Sequence, residues 1–253
     1  MKLANKVALV TGASSGVGAQ TAIKLAEQGV GVVINYANNK VGAENIRAKI
    51  QSIGGKAEIF HADISDDKQC TTLVEFTIAH FAQLDIVINN AGTTDFVPHQ
   101  ALDLLTNDIW HKTLNTNLLG PFYISRAAQP YLAKQGGGEI VMTSSIAGQT
   151  THGSSIAYCA SKAGLNSLTK TLAKALGEKN IRVNAICPGL IDGQWSAQGW
   201  AEHWQAAKDY TLVNSAIKRI STPSDVADSI MSVLTGSDNM TGQIITLDSG
   251  LTL

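Results

Sequence analysis

Tyr158 and Lys162 stand four positions apart in the stretch Ala157-Tyr158-Cys159-Ala160-Ser161-Lys162-Ala163-Gly164. Residues with that spacing on a helix share a face, so a phenol and an ammonium can meet at one point. A free tyrosine titrates near pKa ~10 and is a sluggish acid or base at neutral pH. Bringing it to about 7 takes about 3 units, or ~4 kcal/mol at ~1.36 kcal/mol per unit. One positive charge about 4 Å away supplies something of that size at an effective dielectric of about 20. The spacing therefore admits a proton-transferring tyrosine tuned by its neighbour. A surface lysine beside a packed tyrosine on an amphipathic helix gives the same pattern, so the pair alone does not decide.

A second chemical feature lies near the amino terminus. Lys6-Val7-Ala8-Leu9-Val10 is an apolar run suited to a buried strand, and it breaks at Thr11-Gly12-Ala13-Ser14-Ser15-Gly16-Val17-Gly18. A helical pattern follows through Ala22, Ile23, Leu25 and Ala26 and ends at Gly29. Strand, glycine-rich turn and helix form the setting in which backbone amides and a helix amino terminus hold a pyrophosphate. The spacing Gly12, Gly16, Gly18 differs from the G-x-G-x-x-G dinucleotide pattern.

Further segments widen the match. Thr-Gly-x-x-x-Gly-x-Gly, Asn89-Asn90-Ala91-Gly92, and Ser145 ahead of Tyr158-x-x-x-Lys162 together resemble the short-chain dehydrogenase/reductase family. Pro188-Gly189, Gly242-Gln243 and Asp248-Ser249-Gly250 extend the resemblance over essentially the whole chain, in order. It implies one domain with a Rossmann-like, doubly wound, seven-stranded parallel sheet and an NAD(P)(H)-dependent oxidoreductase acting on a carbonyl or secondary alcohol. It also implies a catalytic tetrad. Tyr158 exchanges the proton at the substrate oxygen, and Lys162 tunes it and holds the nicotinamide ribose. Ser145 bonds the carbonyl, and Asn117 anchors a water leading from Lys162. Asn115 is the rival for that last position, but the distance from Trp110 and the following Leu118-Leu119-Gly120 favour Asn117. One departure stands out. The family commonly has a threonine four positions past Pro188-Gly189, where this chain has Gly193, so Ser196 or backbone groups would substitute.

These residues need elements to position them. Apolar strand candidates recur at Val30–Asn35, Ala57–His61, Ile86–Asn89, Glu139–Ser144, Ile181–Cys187 and Gln243–Leu247. Helix-length segments lie between them: Ala43 to Ile53, Lys68 to Phe81, a long stretch from about Leu102 to Lys134, and Ile156 to Gly177. Alternating helices and buried strands imply an α/β fold whose parallel sheet is covered on both faces. Ligands of such sheets sit outside the carboxyl ends of the strands. The motif residues fall there. Gly12, Ser14, Ser15, Gly16, Val17 and Gly18 follow the first strand. Asn35, Tyr36, Ala37 and Asn38 lie at the end of the second, and Asp63-Ile64 follow the third. Asn90-Ala91-Gly92 follow the fourth, and Pro188, Gly189 and Ile191 the sixth. All are assigned to one cofactor cleft, together with Tyr158 and Lys162. For Asp63, an adenine contact is implied by the resemblance, and a helix cap is its competing role.

An NAD site usually carries an acidic residue about 20 positions past the glycine turn. Here the second strand runs into Ile34-Asn35-Tyr36-Ala37-Asn38-Asn39-Lys40 without a carboxylate. Repulsion against a 2′-phosphate is thereby removed, which favours NADP(H) over NAD(H). The arginine of many NADP-using relatives is absent too, with Ala37 at its position. Donors from Ser14, Tyr36, Asn38 and Asn39, helped by Lys40, would hold the phosphate instead.

The segment Asp192 to Ile217 corresponds to the family's variable substrate lid and is dense in Trp195, Trp200, Trp204 and Tyr210. Trp200 and Trp204 are expected to share a helix face and Trp195 to face the substrate, while His152 either faces it or is a satisfied loop residue. An apolar or cyclic carbonyl compound suits this lid, as does simple packing of the lid onto the body. The 253 residues carry a formal charge of -1, with 44% hydrophobic positions. That balance points to a soluble protein without a nucleic-acid or membrane surface. No apolar run reaches the roughly 20 residues of a membrane span. No leader precedes the first strand, and Cys70, Cys159 and Cys187 read as reduced thiols, so a cytoplasmic protein is expected. His99, His111 and His203 show no metal-ligand spacing, so no catalytic metal is expected. The resemblance implies a homotetramer or homodimer. A 3-oxoacyl-carrier-protein reductase, a non-catalytic nucleotide-binding protein, and a redox-neutral epimerase or lyase are the competing readings.

Overall fold

A computed structural model describes all residues 1–253. Seven strands form one parallel sheet: β1 (Val7–Val10), β2 (Gly31–Tyr36), β3 (Ala57–His61), β4 (Ile86–Asn89), β5 (Gly138–Thr143), β6 (Ile181–Pro188) and β7 (Ile244–Leu247). Their order across the sheet is β3-β2-β1-β4-β5-β6-β7. The chain winds outward from β1 to β3, then returns to the other side of β1 and winds the opposite way. The crevice between β1 and β4 is therefore the topological switch point, where ligands of open α/β sheets collect.

Period-two alternation divides the strand residues between two cores. Ala8 and Val10 of β1, Val32 and Ile34 of β2, and Ile86 and Ile88 of β4 face one side. There they meet helices α1 (Gly16–Glu27), α2 (Lys40–Ser52) and α9 (Pro223–Thr235). Leu9, Val33 and Val87 face the other side. That side carries α3 (Asp67–Phe81), α5 (Gly120–Lys134) and α6 (Ile156–Leu176). Burial on both faces explains why the strands read as unbroken apolar runs. The expected α/β, Rossmann-like, doubly wound architecture is the one observed.

Two local expectations are corrected. The stretch from Leu102 to Lys134 is not one helix. It contains a short 3-10 turn at Leu102–Leu104, α4 (Asn107–Leu114), a π-type segment at Asn115–Leu119, and then α5 with Pro121 in its first turn. The wider turn carries Asn117 to a fully buried position, where its amide is used up by hydrogen bonds. Trp200 and Trp204 do not share a helix face either. Helix α7 (Gln194–Trp200) ends at Ala201, whose φ of 46° breaks the winding, and Trp204 opens α8 (Trp204–Asn214). A helical pattern in sequence cannot reveal such a break, because Ala201 is by type a strong helix former.

Thr11 ties the switch point together. It is fully buried, and its Oγ1 accepts hydrogen bonds from the backbone N–H of Asn90 (3.0 Å) and Ala91 (3.1 Å). The Asn90 amide in turn donates to the carbonyls of Thr11 (3.0 Å) and Gly12 (3.2 Å). Thr11→Val keeps the shape but leaves the Ala91 N–H without an acceptor and the Asn90 N–H with only the Ile88 carbonyl (3.1 Å). It is expected to cost about 2 kcal/mol, measured by urea unfolding, and a variant as stable as the parent would refute the role.

Candidate active site

Helix α6 delivers the tyrosine and the lysine. Its N-cap Ser155 is fully buried and accepts from the Tyr158 N–H (3.2 Å), which fixes Tyr158 in the first turn. Lys162 lies one turn deeper, only 4% exposed. Its Nζ donates to the Thr143 carbonyl at the end of β5 (2.8 Å) and stands 5.6 Å from the centre of the Tyr158 ring. No other acceptor is within hydrogen-bond range of Nζ in this structure, so two of its three N–H groups are free to point elsewhere. Ser145 follows β5 directly, with its hydroxyl accepting from Ala147 N–H (3.1 Å).

Burial dominates the protonation of this group. The Tyr158 phenol is pushed up to about 12 by burial, and its interaction with the Ser145 hydroxyl pulls the other way. Burial lowers Lys162 to about 8. The depression of Tyr158 toward neutrality expected from a charge at about 4 Å is therefore not found; burial raises the phenol instead. The physical reason is desolvation. The ammonium donates to the Thr143 carbonyl, and burial disfavours phenolate and ammonium alike. At neutral pH Tyr158 is a neutral phenol and Lys162 is still mostly charged.

Asn117 is bonded on every side. Its Oδ1 accepts from Thr93 N–H (2.7 Å), and its Nδ2 donates to Thr93 O (2.8 Å) and Ser161 Oγ (3.0 Å). It thus braces the loop after β4 against α6. The side chain does not line the cleft, whereas its neighbours Asn115 and Thr116 do.

The cleft encloses about 1870 Å³. Pockets for one small ligand typically hold about 300–1,000 Å³, so there is room for a dinucleotide and a second molecule. It gathers Gly12, Ser14, Ser15, Gly16, Val17, Asn35, Ala37, Asn38, Asp63, Ile64, Asn90, Ala91 and Gly92. Ser145, His152, Tyr158, Lys162, Pro188, Gly189, Ile191 and Trp195 complete the set of sequence-derived candidates along it. Gly18 and Tyr36 lie outside. A methyl at Gly18 would come within 2.5 Å of the Asn90 amide, so its smallness serves the turn. Tyr36 is buried with its ring edge-on to His61. Asn35 is a brace: its Oδ1 accepts from Gly12 N–H (3.2 Å) and its Nδ2 donates to Ala62 O (3.0 Å). Asn39 caps α2 by accepting from Gly42 N–H (2.9 Å). Asp63 is not the cap of α3. Asp66 is, while the Asp63 carboxylate binds Ser65 in an exposed turn at the cleft.

The glycine turn fits a pyrophosphate. Gly12 has a φ of +60°, and a methyl there would lie 2.8 Å from the Ala91 backbone. Gly16 opens α1 onto empty space, with no atom within 4 Å of where its methyl would be. The N-cap Ser15 makes no side-chain hydrogen bond, and no acidic residue occupies the first turn. The helix amino terminus is thus left open to an anion. Phe96, in the loop after β4, is a cleft residue that the sequence reading passed over. Its signal was available: an aromatic four positions past Gly92, on a loop leaving the ligand edge of the sheet.

The comparisons agree with this geometry. A family model described as enoyl-(acyl carrier protein) reductase matches residues 12–252. The 3-oxoacyl-[acyl-carrier-protein] reductase of Thermotoga maritima is 32% identical over the full length of both chains. The 7alpha-hydroxysteroid dehydrogenase of Bacteroides fragilis is 34% identical, covering 98% of this chain and 95% of the relative. A short chain dehydrogenase from Burkholderia cenocepacia, solved in complex with NADP, superposes with a TM-score of 0.90 at 33% identity and complete coverage of both chains. The chain belongs to the short-chain dehydrogenase/reductase family. It is an oxidoreductase of the hydride-transferring kind, built to bind a nicotinamide dinucleotide.

The lowered Lys162 is directly measurable. Carbon-labelled methylation of the lysines should give one resonance titrating near 8, absent from Lys162→Met, with the rest near the ordinary value of about 10.4. A Lys162 signal that titrates with the surface lysines would contradict the burial of its ammonium.

Proposed function

We propose that this protein is an NADP(H)-dependent ketone reductase with Tyr158 as the proton donor. The observation that carries the reading is the pairing of a neutral, half-buried phenol with a mostly charged, buried lysine beside an open helix amino terminus. When bound, the reduced cofactor supplies the hydride to the substrate carbon. The Ser145 hydroxyl orients the carbonyl oxygen and offsets its developing charge. Tyr158 Oη then gives its proton to that oxygen, yielding a secondary alcohol, and is left as a phenolate. The Lys162 ammonium stabilises the phenolate electrostatically until the proton is restored. Asn117 acts as a positioning residue, holding Thr93 and Ser161 on either side of Lys162.

The direction of the Tyr158 shift supports reduction at neutral pH, since the neutral phenol is the form a reductase needs. Oxidation of an alcohol would require the phenolate and so a higher pH. For the cofactor, the turn after β2 offers Ala37 and Asn38 and no carboxylate to repel a 2′-phosphate. Ser14 and Asn38 line the cleft as candidate donors, while Lys40 lies outside it and reaches toward Glu44 (3.8 Å). The NADP held by the Burkholderia cenocepacia relative supports the same choice. A carrier-protein-bound ketone remains the second reading, favoured by the name of the Thermotoga maritima relative.

No helix is long and apolar enough to cross a membrane. We further assign the protein to the cytoplasm, supported by three unpaired cysteines of which two are buried. A homotetramer or homodimer is supported by the small residues Ala160, Ala163 and Ser167 on the exposed face of α6. Light scattering on the purified chain would test that assembly.

Tyr158→Phe should lower turnover by about 10²–10⁴-fold while NADPH binding, followed by cofactor fluorescence, changes little. Near-normal ketone reduction by this variant would rule out the proton-donor role. In the parent, kcat/KM for reduction should hold level at neutral pH and fall above about 8, as Lys162 loses its charge. A rate that climbs through that range would refute the assignment. Direct titrations should show NADPH binding at least tenfold tighter than NADH, and the reverse order would overturn the cofactor choice.

A further inference from the structure

We infer that the substrate is a flat ketone of two or more fused rings, held in an aromatic slot of which Phe96 forms the fixed wall. This rests on the ketone-reductase reading above and adds the substrate class and the residues that select it.

Phe96 leaves the body of the protein on the loop after β4 and meets the lid. Its ring centre lies 5.6 Å from that of Trp200, nearly edge-on at 71°, and 6.2 Å from that of Trp195, tilted at 56°. A glycine makes this contact possible. A methyl at Gly199 would lie 2.0 Å from Cε2 and 2.2 Å from Cζ of Phe96, so the ring rests directly on the backbone of α7. The body and the lid are thereby joined through one phenyl ring, which cannot retreat toward α7.

The other aromatic side chains at this end are unusually bare. Trp195 is 54% exposed and Tyr210 is 55% exposed, yet both line the cleft. Indole and phenol faces turned to an open cleft are apolar area awaiting a partner, and aromatic rings prefer stacked or edge-on ring neighbours. Trp195 and Tyr210 line the same cleft as Ser145 and Tyr158, and the rigid faces of a fused-ring ketone suit such exposed rings. A flexible acyl chain covers less of that area and loses more rotational freedom on binding.

Charge at this end points the same way. Lys112 is the one lysine of the cleft besides Lys162, and it is already paired with Asp95 (3.1 Å). Glu202 sits beside His203 (3.7 Å) at the exposed rim. The walls thus lack a free lysine or arginine with which to recognise the phosphate of a carrier arm or coenzyme thioester.

The test compares β-tetralone, a fused bicyclic ketone, with ethyl acetoacetate, an open-chain keto ester, using the full chain and NADPH. The expected result is a kcat/KM at least about a hundredfold higher for β-tetralone. Phe96→Ala and Trp195→Ala should each cut that preference by roughly tenfold through KM, and Phe96→Tyr should restore it. Trp195 is exposed, so its variant tests the slot even where Phe96→Ala disturbs the lid. Binding of β-naphthol, which cannot be reduced by hydride transfer to a carbonyl, should quench tryptophan fluorescence in the parent and much less in Trp195→Ala. Equal or better use of ethyl acetoacetate would overturn the inference and leave the reductase reading standing. So would a β-tetralone preference that neither variant changes. Turnover of neither ketone would count against the reductase reading, and the β-naphthol quench, measured without cofactor, would still decide for or against the slot.

Discussion

A single lysine, buried to 4% exposure and held by one backbone carbonyl, sets the terms for the rest of the site. A desolvated ammonium is costly, and its pKa falls because the charged form is penalised. Elsewhere the fold answers such costs with a partner of opposite charge. Asp85, at the opposite end of the sheet, accepts from Lys6 Nζ (2.8 Å), Val7 N–H (2.9 Å) and Gln83 Nε2. Glu139, buried at the start of β5, is paired with Arg182. Lys162 has only Thr143. The difference separates a structural charge from one with bonding capacity to spare, and the spare capacity lies where β4, β5 and α6 converge on the cleft.

That asymmetry follows the sheet's polarity. The amino-terminal ends of the strands carry paired charges, and the carboxyl ends carry open amides and unspent donors. The uncapped start of α1 has the same character as Lys162: a partial positive charge left without an internal partner. Thr11, Asn35, Asn90 and Asn117 do the opposite work. Each spends its polar atoms on neighbouring backbone, so the groups that remain open are held by groups that are not. A binding edge needs both kinds of residue, since an unbraced open amide would find a partner within its own loop.

Sequence reveals these two kinds unequally. The sheet was legible because strands buried on both faces are largely apolar, and in β1, β2 and β4 the buried polar residues Asn35 and Asn89 come only near the carboxyl ends. Glycine spacing marked the turn, and the Tyr158-Lys162 spacing marked the face of α6. What sequence could not show is how a polar side chain divides its bonds. Asn35 read as a cofactor contact, and its amide braces Gly12 and Ala62. Asn39 read as a phosphate donor, and its oxygen also caps α2 while the residue lines the cleft. Tyr158 read as acidified because spacing fixes which face two groups share and says nothing of the distance between their charged atoms. The ammonium turns toward Thr143, and desolvation then outweighs the attraction. Trp200 and Trp204 failed for a backbone reason, the positive φ at Ala201, which no residue type announced.

The lid shows how the same limits conceal specificity. Its aromatic density was visible along the chain, but a list of tryptophans cannot distinguish rings that pack from rings that wait. The distinction comes from the structure: Gly199, a residue with no side chain, seats Phe96 on α7, while Trp195 stays largely exposed. Filling that space would push the phenyl ring off the lid and free both walls to move. Pre-arranged walls lose less order when a rigid ligand enters than mobile ones do, so the contact favours ligands that are themselves rigid. The chemistry of reduction is set by α6 and β5, on the sheet's own framework. On the proposed reading, selection rests on Phe96, Gly199 and the lid, on segments outside that framework, and so can change without disturbing Tyr158.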